Sequence, residues 1–142
     1  MEEEFARIER DDPGFVKIWL DRFEAKHEQV QPLSLDKAYY GIFFYPPERV
    51  GRPERYLAGM RVAQIPATPE DRVVRVIPAA RYAVFETTLA QIGDTTDQAL
   101  VRWLPETGYE HDYPRPHFDF MLPEATRADS PVTVWIPIRP KP

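Results

Sequence analysis

The 142-residue chain contains no cysteine, which excludes disulfides, cysteine-ligated zinc and thiol nucleophiles. Its six glycines are scattered singly, so there is no glycine-rich loop to cradle a phosphate. Serine is almost missing too: Ser34 and Ser130 are the only two, and neither sits in a nucleophile elbow. No apolar run approaches the ~20 residues of a membrane-spanning helix, and no membrane partner is expected. The acidic start, Met1-Glu2-Glu3-Glu4, lacks the basic and apolar regions of a signal peptide. With the missing cysteines, this leads us to expect a cytoplasmic protein. A basic surplus is also lacking: the net charge is −5, which argues against non-specific nucleic-acid binding.

What is present argues for a folded globule. Hydrophobic residues make up 43% and aromatics 13%, too much apolar surface to leave in water. The length suits one domain spanning 1–142, with a first half of about 1–65 and a second of about 70–142. Sixteen prolines gather at segment ends, among them Pro46-Pro47, Pro66, Pro78, Pro105 and Pro137, and read as punctuation between strands.

The spacing predicts a helix over "DDPGFVKIWLDRFEAKHEQV". Asp12 can cap it, Pro13 suits its first turn, and Phe15, Val16, Trp19, Leu20 and Phe23 form one apolar stripe. "EFARIER" before it has the alternation of a strand. "KAYYGIFFY", "RYLAGMRVAQI", "RVVRVI" and "RYAVFET" are rich in strand formers. "TTLAQIGDTTDQALVRWL" is a second helix, with Thr88 and Gln91 in the form of a capping box. Leu89, Ile92, Thr96, Ala99, Leu100 and Trp103 form its core stripe, and Pro105 is expected to stop it. "HFDFML" and "VTVWIPI" complete the strands. Two strand-helix-strand-strand runs are expected to build an α+β domain. Its antiparallel sheet would carry both helices on one face.

The other face must be solvated or hold something. In the last strand Val132, Val134, Ile136 and Ile138 point one way, towards the helices. Thr133, Trp135 and Pro137 point the other. Trp135 then either borders a groove or packs against a loop. In "AYYGIFFY" either Tyr39, Phe43 and Tyr45 or Tyr40 and Phe44 join the open side. With Tyr82 and Tyr109, the chain has more aromatics than two helices can cover. Such a face suits flat, apolar, cationic molecules through stacking and cation–π attraction. Glu86, Glu110 and Asp119 are the candidate counter-charges. Glu110, His111, Asp112, His117 and Asp119 lie close in sequence but lack the usual ligand spacings, so no metal and no other cofactor is expected.

The stretches "IPAARYAVFE", "RWLPETGYE", "HFDF" and "VTVWIPI", in this order, resemble the GyrI-like small-molecule-binding domain. This is the effector-binding domain of many AraC- and MerR-type transcription activators, also found free-standing. "YYGIFFY" and "YLAGMRV" fit its first half, and the resemblance spans about residues 13 to 139. It implies duplicated strand-helix-strand-strand units and a ligand groove on the face away from the helices. It also implies aromatic walls and acids that meet lipophilic, often cationic compounds. Carried over by position, Tyr109, Trp135 and Asp119 come first as ligand-binding residues, then Tyr82 and Tyr39.

Two departures bear on the ligand. Where the family commonly reads fExY, this chain has Phe118-Asp119-Phe120-Met121. Where it commonly reads VEIWIPI, Thr133 replaces the glutamate. The counter-charge is then weaker, absent, or moved to Asp119, Glu86 or Glu110. Too few residues precede the first helix for a DNA-binding helix-turn-helix, so direct nucleic-acid binding is not expected. The favoured reading is a stand-alone sensor or sequestering protein for lipophilic, aromatic compounds, cationic or neutral. The ligand-binding residues would be Trp135, Tyr109, Asp119, Tyr82, Tyr39, Glu86, Thr133 and Phe43. The alternatives are a hydrolase of reactive small molecules using groove carboxylates, and a gyrase-inhibitor-like module with a protein partner or a second copy of itself.

Overall fold

The computed structural model describes residues 2–4, 34–47, 55–62 and 74–142. Among these, seven strands form one antiparallel sheet. They are β1 (Glu2–Glu4), β2 (Tyr39–Phe44), β3 (Arg55–Gly59), β4 (Arg81–Thr88), β5 (Tyr109–His111), β6 (His117–Met121) and β7 (Pro131–Pro140). The order across the sheet is β1-β3-β2-β6-β7-β4, and β5 also pairs with β7. Ile138 has Arg81 opposite on one side and His111 on the other, so β5 lies on the same side of β7 as β6. Residues 109–121 are in effect one strand interrupted by a loop, which contains a cis Tyr113–Pro114 bond. The helix expected near the N-terminus lies outside the described residues, as does "EFARIER" beyond Glu4.

Among the described residues one helical segment, α1 (89–106), packs on the sheet, and the α+β class follows. Its core contact is the one the alternation in β7 predicts: Val132, Val134, Ile136 and Ile138 are all buried, Val134 and Ile136 completely. Val134, Ile136 and Ile138 pack with Ala99 and Leu104 of α1, flanked by Ala83, Phe85, Ile92, Leu100 and Tyr109. Burying branched aliphatics between two layers removes them from water, at about 1.5–3 kcal/mol per side chain. Trp103 is less central than its spacing suggests. It is 37% exposed and meets Phe85 edge-on at 5.3 Å.

The ends of α1 differ from the sequence expectation. Thr88 is extended, the last residue of β4, and makes no side-chain cap. The first N–H groups are satisfied from outside the helix instead: Leu89 donates to the Ser130 carbonyl and Ala90 to that of Ala128, both at 3.0 Å. Backbone carbonyls fill the role a capping box would have filled. At the other end the helix runs one residue past Pro105 to Glu106. A π-helical turn, Ala99–Trp103, ends two residues before the proline. The wider turn relieves the clash of the proline ring with the preceding carbonyls. Thr107 then turns extended and donates its hydroxyl to the Leu104 carbonyl at 3.0 Å. Lys141 Nζ donates to the carbonyls of Pro105 (3.1 Å) and Thr107 (2.6 Å), a cation at the negative end of the helix dipole.

Part of "RVVRVI" is likewise not a strand: residues 74–80 are irregular, and Val76 is 83% exposed. Extending the β4–β7 register would set Pro78 against Lys141 and Ala79 against Pro140. Neither proline can donate to the ladder, so pairing stops at Arg81.

Candidate functional site

Cross-strand register assigns every side chain to a face, because directly opposed residues point the same way. On the face away from α1, Trp135 lies opposite Val84 on one side and Phe118 on the other. Thr133 lies opposite Glu86 and Phe120, and Pro137 opposite Tyr82. β2 continues this face with Tyr40 opposite Phe120 and Ile42 opposite Phe118.

The rings form one connected cluster. Phe118 stacks on Trp135 with centroids 5.5 Å apart and planes 13° from parallel. Tyr82 meets both edge-on, at 5.4 Å from Phe118 and 5.8 Å from Trp135. Tyr40 adds tilted and edge contacts to Phe118 (5.7 Å) and Phe120 (5.4 Å). All five are half-buried, and Val84, between Tyr82 and Glu86 on the same face, is 46% exposed. No described helix covers this face. Among the described residues it is an aromatic surface of partly exposed rings, while Pro137 and Ile42 on the same face are buried.

Its polar groups are few and placed. Trp135 Nε1 donates to Thr133 Oγ1 at 2.9 Å, which fixes the indole. Glu86 is exposed and faces Thr133 across the strand pair. Burial raises the Tyr82 hydroxyl pKa, with Arg115 lowering it and Asp112 raising it by smaller amounts, so Tyr82 stays a neutral phenol. Tyr40 is raised further, first by burial and then by its hydrogen bond to Asp36 Oδ2 at 2.5 Å.

The sequence-nominated residues therefore divide. Trp135, Thr133, Tyr82 and Glu86 come together on the open face. Asp119, opposite Val134, is buried on the α1 side, and Tyr109, partly buried, packs on the α1 core from the same side. Tyr39 and Phe43 pair with Met121 and His117 and share that second face. Glu110 is tied to Arg139 Nε at 2.9 Å. Of the two alternatives for "AYYGIFFY", the structure selects Tyr40 and Phe44 for the open side. Phe118, Phe120 and Tyr40, central to the cluster, were absent from the sequence-derived site. Alternation in "HFDF" does separate both phenylalanines from Asp119, but which set faces out depends on pairing with β7.

The α1-side face of β2 and β6 is packed instead. Phe43 stacks on His117 at 4.5 Å with planes 8° apart, and His117 Nδ1 shares a 2.7 Å hydrogen bond with Tyr45 Oη. Gly41 is required there. A Cβ on it would lie 2.5 Å from Tyr56 Oη, closer than atoms can approach.

A family described as integron-associated effector binding protein matches residues 9–138. The chain belongs to that family. It is a GyrI-like effector-binding family, as the motifs around Trp135 imply, and its effector-binding name agrees with a small-molecule ligand. No curated protein matches the sequence. No described helix is long and apolar enough to cross a membrane.

Proposed function

We propose that this member of the integron-associated effector-binding family binds a flat, lipophilic, cationic molecule on the open face of its sheet. The ligand stacks against Trp135, Phe118 and Tyr82, with Glu86 as its counter-charge. The observation that carries this reading is the Phe118–Trp135–Tyr82 ring cluster, half-buried on a face that no described helix covers. Aromatic faces carry negative quadrupoles, so a stacked cation is attracted as well as desolvated.

Thr133 stands where the related motif has a glutamate, and Glu86 stands directly across from it. The carboxylate is displaced by one strand and stays on the same face. A diagonal neighbour about 7–8 Å away remains within reach of a long side chain, so Glu86 can serve a cation lying on Trp135. Asp119 faces the other layer and Glu110 is occupied by Arg139. That leaves Glu86 as the nominated acid on this face.

Calorimetric titration of a cationic triarylmethane dye and a neutral ring compound of similar size tests the proposal. The dye is expected to bind the wild type more tightly than the neutral compound. Trp135→Ala is expected to remove binding of both. Unchanged affinity in Trp135→Ala would place the ligand elsewhere.

A further inference from the structure

The opposite side of the sheet carries a second concavity that the aromatic face does not explain. A cleft of about 420 Å³ lies between the C-terminal turns of α1, β5 and the end of β2. Among the described residues its wall includes Tyr45, Leu100, Val101, Leu104, Tyr109 and His111. Ligand sites commonly occupy about 300–1,000 Å³ and are mostly apolar with a few placed polar groups, and this cleft fits both criteria. The π-helical turn Ala99–Trp103 supplies Leu100 and Val101. Such turns are frequent at functional sites because they re-aim side chains that a regular helix would stack. Val101 is 71% exposed at the rim although it is aliphatic.

The charges bordering the cleft are already engaged. Lys141 Nζ is held by the carbonyls of Pro105 and Thr107, and Glu110 by Arg139. Among the described residues the polar groups left to meet a ligand are the Tyr109 hydroxyl and the ring of His111. His111 Nε2 donates to the Arg115 carbonyl at 3.0 Å, so in the neutral ring Nδ1 is the lone-pair acceptor. Burial lowers the His111 pKa, against smaller opposing effects of the Arg115 bond and Asp112, and the ring is neutral at pH 7.

We infer that the cleft between α1 and β5 is a second small-molecule site, separate from the aromatic face, for an uncharged ring compound carrying one hydrogen-bond donor. The apolar walls take the ring, His111 Nδ1 accepts from the donor, and the engaged charges offer nothing to an ion. Trp135 and Pro137 point to the opposite side of β7 from Ile136 and Ile138, so a ligand here touches none of the aromatic cluster.

The test titrates 2-naphthol, with 2-methoxynaphthalene as the same ring system without a donor. Four proteins are compared: wild type, Val101→Trp, His111→Phe and Trp135→Ala. Val101 is a rim residue, so a tryptophan there fills the mouth without entering the core. 2-Naphthol is expected to bind the wild type, and to bind Val101→Trp at least about tenfold more weakly. His111→Phe should remove the preference for 2-naphthol over its methyl ether. Trp135→Ala should leave 2-naphthol affinity within about twofold. The inference is overturned if 2-naphthol does not bind, if Val101→Trp binds it as the wild type does, or if the ether binds equally well. Loss of 2-naphthol binding in Trp135→Ala with no effect of Val101→Trp would overturn it as well, by assigning that compound to the aromatic face. Loss of dye binding alone in Trp135→Ala leaves the second site standing, so the two readings fail separately.

Discussion

Glu86 stands directly opposite Thr133 on the neighbouring strand, on the same face as Trp135. A carboxylate that the related motif carries on β7 is therefore available from β4. Among the described residues, Glu86 keeps an acid near the indole on this face.

Glu86→Gln tests that substitution of positions. Glu86 is exposed, so its attraction for a ligand is screened and modest, and the affinity for a cationic dye should fall about threefold to fivefold. Affinity for a neutral ring compound should not change. Raised salt should produce the same selective loss in the wild type. Equal losses for both compounds would remove Glu86 from the counter-charge role.

Thr133→Glu creates two carboxylates facing one another across the strand pair. Like charges directly opposed are destabilising, here by about 0.2–1 kcal/mol, and the loss should disappear in the double variant with Glu86→Gln. The single variant should nonetheless bind cationic dyes more tightly than the wild type, because the ligand meets two acids. A thermal-shift series on the wild type, both single variants and the double variant measures both effects.

Trp135→Phe separates stacking from hydrogen bonding. The ring that stacks on Phe118 is kept, while the 2.9 Å bond from Nε1 to Thr133 is lost. Dye binding should weaken but persist in Trp135→Phe and vanish in Trp135→Ala. Equal effects of the two variants would mean that the stacked ring is not what holds the ligand.

Stability should track the α1-side core. Ile136 is fully buried, and Ile136→Ala should cost about 2–5 kcal/mol in urea denaturation. Val101→Ala, at an exposed rim position, should stay within about 0.5 kcal/mol of the wild type. A large loss at Val101 would contradict its placement outside the core.

His111 sets a pH dependence with a definite sign. Burial holds its folded pKa below the ordinary 6.5, so below that value the unfolded chain takes up the proton more readily than the folded one. The stability contribution is complete above about pH 6.5 and is lost as pH falls towards the folded pKa. Wild-type stability should drop between pH 7 and pH 5 by more than that of His111→Gln, read from unfolding midpoints. Parallel curves would show that His111 titrates alike in both states.

Much of the fold was legible from residue pattern. The alternation Val132, Val134, Ile136, Ile138 identified the α1-side face of β7. β2, β4 and β6 lay where strand formers cluster, and α1 where the apolar spacing changes to helical. Pattern failed where a partner was needed. Thr88 has the chemistry of a cap, yet Ser130 and Ala128 supply the bonds. Val74 to Ile77 have strand propensity, yet Pro78 and Pro140 deny them a ladder. β5 is too short to leave a period.

The amino-acid sequence by itself determined the class of chemistry: no thiol, no phosphate loop, an aromatic surplus, and alternating strands that put Trp135 and Thr133 on one face. That information is local, carried by composition and by a period of two along each strand. Only the tertiary structure decided which aromatics and which acid share that face. The choice rests on cross-strand register, and a shift of one residue would exchange Phe118 and Phe120 for Asp119. Pairing β6 and β4 with β7 brought Phe118, Tyr82 and Glu86 to Trp135, and sent Asp119, Tyr109, Tyr39 and Phe43 to the side that α1 covers.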